Sequence, residues 1–249
     1  MTTVFRSLLF NAAFFLWTAV LCVVCLPLLA APQSVALRAG TWWSKGIVWL
    51  LGVVAGLRFE VRGREHIPGK PAIVASKHQS AWDTLIFFLL LPHPTLVTKK
   101  ELFLIPFYGW YVWRAGMIGL DRAGGAGALK SMVRRSREAL KAGRSVIIFP
   151  EGTRIAPGAH RPYLPGVAAL YGDLQVPVVP VAVNSGLFWG RRAFVKRSGT
   201  ILLQFLPAIP PGLARKDFMA ELERRIETAT ARLEAEAQSG PDTEPRAAC

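Results

Sequence analysis

The stretch V74-A-S-K-H-Q-S-A-W-D-T-L85 passes from one apolar run into another through a short polar segment. The residues before it, PAIVAS (71–76), read as a short buried strand. Those after it, AWDTLIFFLLL (81–91), read as a helix that stops before Pro92. Ser80 is a good N-cap, and Asp83, three residues on, completes a capping-box-like S-x-x-D. The boundary decides what His78 and Asp83 can do. Inside one continuous helix, five residues turn by about 140° net and rise about 7.5 Å, so the two side chains could not meet. If the helix starts between them, His78 lies in the preceding loop and can fold back onto the first turn. Asp83 then orients one ring nitrogen and leaves the other as a base.

The strand–loop–helix pattern repeats outward from this point. RFEVRG (58–63), TLVTK (95–99), GMIGLD (116–121), SVIIFP (145–150), VPVVPVAV (176–183) and TILLQFLPAI (200–209) read as strands. ALKSMVRRSREALKAG (128–143), GVAALYGDL (166–174) and residues 215–237 read as helices, with Gly124, Gly125 and Gly127 in a loop. Strands alternating with helices predict an α/β domain over residues 58–237, its mixed and mostly buried sheet flanked by helices and closed by a C-terminal amphipathic helix. Residues 238–249 are polar and are expected to form a disordered tail. There is no internal repeat and no Walker or Rossmann glycine loop.

The first 57 residues differ in character. Residues 7–31 carry no charge and are long enough to cross a hydrocarbon core. This run exceeds the apolar core of a secretory signal, so an uncleaved anchor is expected. A second apolar segment, 42–57, is too short in its charge-free part to span unaided. It reads as a re-entrant or interfacial helix, or else as a buried core helix, with Trp42, Trp43 and Trp49 suited to the headgroup level. Together the two segments predict a two-helix membrane element. Cys22 and Cys25 fall within the first and read as packing, and there is no disulfide framework.

Of the 249 residues, 30 are Lys or Arg and 16 Asp or Glu, a formal net charge of +14. That favours an anionic partner, and the 52% hydrophobic content points to a membrane surface over nucleic acid, for which no aromatic-interleaved module is visible. Several cations fall just after predicted strands: Lys99 and Lys100, Arg122, and Arg154 in FPEGTR (149–154). Strand ends are where α/β folds bind ligands. Arg154 offers a planar fork for phosphate, Gly152 allows close backbone approach, and Glu151 is placed to orient Arg154 or a substrate hydroxyl. No Ser or Cys sits in a nucleophile elbow, so direct attack by a substrate hydroxyl deprotonated by His78 is the simpler chemistry.

KHQSAWD, GMIGLDR, FPEGTR and VPVVPVAV, in this order and spacing, resemble the four motifs of the glycerolipid acyltransferase family. The likeness covers roughly residues 59–210 and is strongest to its bacterial 1-acyl-glycerol-3-phosphate acyltransferases, including KKELFLIPFYGW (99–110). Lys77 departs from it, since many members have Asn before the histidine. The resemblance implies His78 as general base on the sn-2 hydroxyl and Asp83 as its orienting partner. It implies that Arg122, Glu151, Gly152, Arg154 and Lys100 hold the acceptor phosphate, and that Val176, Pro177 and Pro180 help form the acyl-donor side. Neither a metal nor a bound cofactor is implied. Acyl-CoA or acyl carrier protein would be the donor, lysophosphatidate the acceptor and membrane phospholipid the surroundings, at the cytoplasmic side of a bacterial inner membrane. The rival expectations are another acceptor for the same chemistry (lyso-ornithine lipid, glycerol-3-phosphate or another lysophospholipid) and a non-catalytic, membrane-anchored anionic-lipid-binding protein.

Overall fold

A computed structural model describes residues 2–121 and 123–239. Arg122 and most of the expected tail lie outside the described residues. Two helices, α1 (Thr3–Val24) and α2 (Gln33–Leu50), precede β1 (Leu57–Arg62), β2 (Ile73–Ser76), α3 (Trp82–Leu90) and β3 (Thr95–Lys99). Then follow α4 (Tyr108–Arg114), β4 (Ile118–Leu120), α5 (Gly125–Lys141), β5 (Val146–Ile148) and α6 (Gly166–Leu174). β6 (Val178–Val183), β7 (Gly199–Phe205) and α7 (Arg215–Ser239) complete the chain. The seven strands form one sheet in the order β1-β7-β6-β2-β5-β3-β4. All neighbours are parallel except β6 and β7, so the sheet is mixed, as expected.

Strand periodicity divides the core. Val74, Ile147 and Leu96 face one side, where α1, α2, α3 and α4 pack; Ile73, Ala75, Val146 and Ile148 face the other, under α5, α6 and α7. Alternate residues of a strand point to opposite faces. A short strand covered on both faces must therefore be apolar throughout, which is why β2 is buried at all four positions.

The first 57 residues do not form a separate layer. Ala36, Leu37, Ile47 and Leu51 are buried in the same core as α3, so the second apolar segment is a core helix along one side. It begins at Gln33, well before the predicted 42, and ends in a π-helical turn over Leu51–Ala55. Trp42 and Trp49 face outward, but Trp43 turns inward, its Nε1 donating to Thr18 Oγ1 at 3.0 Å. α1 is long and apolar enough to cross a membrane by length and composition, and most of its surface is uncovered. Its first half is nonetheless docked. Phe10 is buried against Trp189, and Arg6 Nε donates to the Val54 carbonyl at 2.8 Å. Arg114 on α4 donates to the Leu29 and Ala31 carbonyls and holds the link between α1 and α2.

α5 starts three residues earlier than expected, taking Gly125 and Gly127 into its first turn. The tertiary packing of its Met132 and Val133 face outweighs the low helix propensity of those glycines. The segment between β3 and β4, whose sequence shows no clear period, holds a 3-10 turn over Lys100–Leu104 and the short α4.

Where the strand direction reverses, Asn184 closes the junction. Its Oδ1 accepts from Leu202 N at 2.8 Å and its Nδ2 donates to Leu233 O at 3.0 Å, wholly buried. Replacing Asn184 by Leu should lower unfolding free energy by about 1–3 kcal/mol for each backbone group left unpaired. Urea unfolding of the detergent-solubilised protein would show the loss as a lower midpoint.

Candidate active site

Because β2, β3, β4, β5 and β6 run parallel, their C-terminal ends meet at one sheet edge, the place where open α/β sheets bind ligands. A cleft of about 740 Å³ opens there. His78 follows β2 and Arg154 follows β5, and both line it. The two loops are joined directly, since Ile155 N donates to the His78 carbonyl at 2.8 Å.

α3 begins at Trp82 with Ala81 at the cap position, one residue later than the expected Ser80, and His78 is in a loop as expected. Ser80 Oγ accepts from Trp82 N at 3.2 Å, and the Asp83 carboxylate reaches back to Ser80 N at 2.8 Å. The Asp83 half of the expected S-x-x-D box forms, while Ser80 bonds Trp82 N instead of Asp83 N, so its side chain shapes the turn ahead of the helix. The same Oδ2 accepts from Gln79 N at 2.7 Å and sits 3.0 Å from His78 Nδ1, while Oδ1 accepts from the Ser185 hydroxyl. An ionised carboxylate only accepts hydrogen bonds, which assigns the proton to Nδ1 and leaves Nε2 as the basic nitrogen. Asp83 is 1% exposed and His78 14%. The imidazole lies flat against Phe149, with ring centroids 4.0 Å apart. Cap, tautomer and ring plane are thus set together.

Arg154 is a partly buried cation on the cleft wall. Its burial, together with repulsion from Arg191 and Arg192, holds the guanidinium below its ordinary range, with Asp83 acting in the opposite sense. Arg191 and Arg192 also line the cleft, on the segment between β6 and β7, and sequence reasoning missed both. The available signal was topological: β6 is parallel to β2, so the chain leaving β6 emerges at the same edge. Lys99 lines the cleft as well. Lys100 sits at its exposed rim, paired at 2.5 Å with Asp121, itself a lining residue. Gly152, also on the wall, has a φ of 67°, which favours glycine.

Two expectations meet a different placement. Glu151 does not face the cleft. It is wholly buried, with Oε2 accepting from His78 N at 3.1 Å and Oε1 3.1 Å from Lys77 Nζ, without hydrogen-bond alignment. β5 ends at Ile148 and the chain turns through Gly152, which leaves Glu151 pointing inward while Pro150, Gly152, Thr153 and Arg154 line the cleft; Glu151 supports the His78 loop from behind. Val176 and Pro177 lie at the start of β6, the edge away from His78, and Pro180 is buried in mid-sheet beside Ala75 of β2. Having no N–H, Pro180 marks the end of the β6–β7 ladder, where Leu206 N still donates to its carbonyl. The structure does not bring these three residues to the cleft.

A second cavity, of about 140 Å³ and almost wholly apolar, lies between α1, α2, α4 and β3. It shares Thr84, Leu96, Thr98 and Leu102 with the cleft, so the two adjoin.

A base oriented by a buried carboxylate, beside a patch of cations and an adjoining apolar cavity, is a constellation for transfer to a hydroxyl on an anionic amphiphile. A family model described as Acyltransferase matches residues 58–184, and the chain belongs to that family. Among its relatives, a 1-acyl-sn-glycerol-3-phosphate acyltransferase of Pseudomonas aeruginosa is 37% identical over 227 residues, covering 90% of this chain and 87% of that protein. The 1-acyl-sn-glycerol-3-phosphate acyltransferase alpha of Homo sapiens is 34% identical over 173 residues, 68% of this chain and 61% of that one. In fold, the chain is similar to the crystal structure of the 1-acyl-sn-glycerophosphate (LPA) acyltransferase, PlsC, from Thermotoga maritima. The TM-score is 0.75 with 21% identity, over 97% of this chain and 100% of that one.

Burial raises the Glu151 carboxyl to about 7, against the pull of Lys77. The folded protein therefore holds this proton more tightly than the unfolded chain, whose carboxyl titrates near 4.5. That contribution to stability is fully present below about pH 4.5 and is lost as pH rises through about 7. Melting temperature measured across this window should fall more steeply with pH in the wild type than in Glu151→Gln, which cannot titrate there.

Proposed function

We propose that this acyltransferase moves a fatty acyl group from an acyl thioester to the sn-2 hydroxyl of 1-acyl-glycerol-3-phosphate, forming phosphatidate. The observation that carries this reading is that His78, with Nε2 available, and Arg154 line one cleft. A hydroxyl and a phosphate on one glycerol backbone suit such an arrangement. His78 Nε2 takes the hydroxyl proton as the oxygen attacks the thioester carbonyl. The tetrahedral intermediate collapses with cleavage of the C–S bond, and the imidazolium returns the proton to the departing thiolate. Asp83 stabilises the imidazolium formed between these steps. Arg154, with Lys99, Arg191 and Arg192 on the same walls, provides charge for the acceptor phosphate, and the adjoining apolar cavity is suited to an acyl chain.

The exposed apolar residues support a position at a membrane surface. Phe15, Leu16 and Val24 on α1, Trp49 on α2, and Trp110 and Trp113 on α4 are all uncovered, and interfacial tryptophans favour the headgroup level. An amphiphilic acceptor could then keep its tail in the bilayer while its head enters the cleft. The basic surface suits the anionic cytoplasmic leaflet, and the site we propose is the cytoplasmic face of a bacterial inner membrane, with acyl-CoA or acyl carrier protein as donor.

An acyl-transfer assay of the purified protein with lysophosphatidate and either donor tests the reaction, and no turnover of lysophosphatidate would refute it. His78→Ala should lower kcat by about 10²–10⁴-fold. Arg154→Ala should raise KM for lysophosphatidate by roughly 10–100-fold, the worth of a hydrogen bond to a charged group, and leave KM for a phosphate-free monoacylglycerol little changed. Trp110→Ser combined with Trp113→Ser should weaken sedimentation with phosphatidylglycerol vesicles while kcat on detergent-dispersed substrate is retained.

A further inference from the structure

Behind the cleft lies a buried polar network that the mechanism above does not use. Lys77 is 1% exposed, yet its ammonium lies 2.7 and 2.8 Å from the two carboxylate oxygens of Glu227 on α7, 150 residues away in the chain. Tyr163 donates to the same carboxylate at 2.8 Å. Two turns further along α7, on the same face, Glu234 accepts from Gln79 Nε2 at 2.6 Å and from Gly158 N at 3.0 Å. The residues on either side of His78 are therefore both held by α7, while the imidazole projects into the cleft.

We propose that α7 clamps the catalytic loop, with Glu227 acting through Lys77 as a positioning residue for His78. The proposal rests on the acyl-transfer reading for its kinetic consequence but not for its geometry. Three features carry it. The Lys77–Glu227 pair is long-range and its ammonium is buried, so removing Glu227 leaves the ammonium with Glu151 as its remaining charge partner and draws it away from α7. Lys77 also faces Glu151, whose other oxygen receives the His78 backbone N–H, so a displaced ammonium is felt one bond away from the base. Arg154 itself has no hydrogen bond or ion pair to Glu227 or Lys77 among the described residues, so the clamp bears first on the base and reaches the anion site only indirectly, through the Ile155 N–His78 carbonyl bond and Glu151. A general base misplaced by about 1 Å can lose roughly 10²-fold in rate, whereas acceptor binding through Arg154, coupled to the loop only by the Ile155 N–His78 carbonyl bond, changes less.

The test compares Glu227→Gln, which keeps shape and removes charge, with Glu223→Gln, four residues earlier on α7, where the partner is the exposed His160. Glu227→Gln should lower kcat about 10–100-fold with acceptor KM within about twofold, and should shift the His78 ring resonances in a histidine-labelled NMR spectrum. Glu223→Gln should change neither. If Glu227→Gln does not fold, Lys77→Met combined with Glu227→Gln removes both charges and should show the same kcat loss and resonance shift. Wild-type kcat and unchanged His78 resonances in whichever variant folds would overturn the clamp, even if melting temperature falls. A wild type that leaves lysophosphatidate unreacted while Glu227→Gln still shifts the His78 resonances would refute the acyl-transfer reading and leave the clamp standing.

Discussion

The Asp83 carboxylate is the point on which the rest of this site depends. A buried carboxylate is tolerated only when its lone pairs are filled. Here two backbone N–H groups, an imidazole and a hydroxyl converge on it. Each bond fixes something different. The backbone pair from Gln79 and Ser80 sets the turn that carries the chain from β2 into α3. The imidazole bond sets the His78 tautomer. Ser185, just beyond β6, ties the neighbouring strand's exit to the same spot. A local requirement of electrostatics thereby joins two adjacent strand ends and one helix start, and the catalytic geometry follows from satisfying it.

Charge is sorted around this centre by depth. The guanidinium and ammonium groups that suit a phosphate stand on the cleft wall, where water and an anion can reach them. The carboxylates Glu151 and Glu227 stand behind the loop around one buried ammonium, where they shape the backbone. The second cavity is lined by apolar residues of α1, α2 and α4, and Phe15, Leu16, Trp42, Trp49, Trp110 and Trp113 of these helices are uncovered. An amphiphilic substrate therefore finds its two halves matched by two adjoining environments. The P. aeruginosa relative has a name that fits this division of surface, and the likeness to the T. maritima structure extends the shared fold through α1 and α2.

The docking of the N-terminal helices is a packing result. Both are apolar, but only α2 buries a continuous stripe against α3, and α1 is held chiefly through Phe10, Ser7 and Arg6 in its first half. Beyond that point Trp17 and Thr18 still bond to Trp43, but Phe15, Leu16, Val20, Val23 and Val24 are uncovered, and a low-polarity environment is their natural complement. The bulk of one helix lies in the core and the bulk of the other outside it, so the apolar N-terminal pair does not stand apart as a layer of its own.

Local signals were legible in the sequence because local physics produces them. The limits of α6 and β3, the helix start between His78 and Asp83, the α/β class and the cations after strand ends all follow from periodicity, capping and turn chemistry within a few residues. What the chain could not disclose alone depends on pairings between segments far apart in the sequence, by tens of residues up to more than a hundred. The strand order, the inward turn of Glu151, the arrival of Arg191 and Arg192 at the cleft, and the meeting of Lys77 with Glu227 are of this kind. An isolated charge reads the same whether it will face water or a distant partner, and an apolar helix reads the same whether protein or lipid will cover it. Only the closed sheet, by bringing parallel strand ends to one edge and α7 behind them, decides between those outcomes.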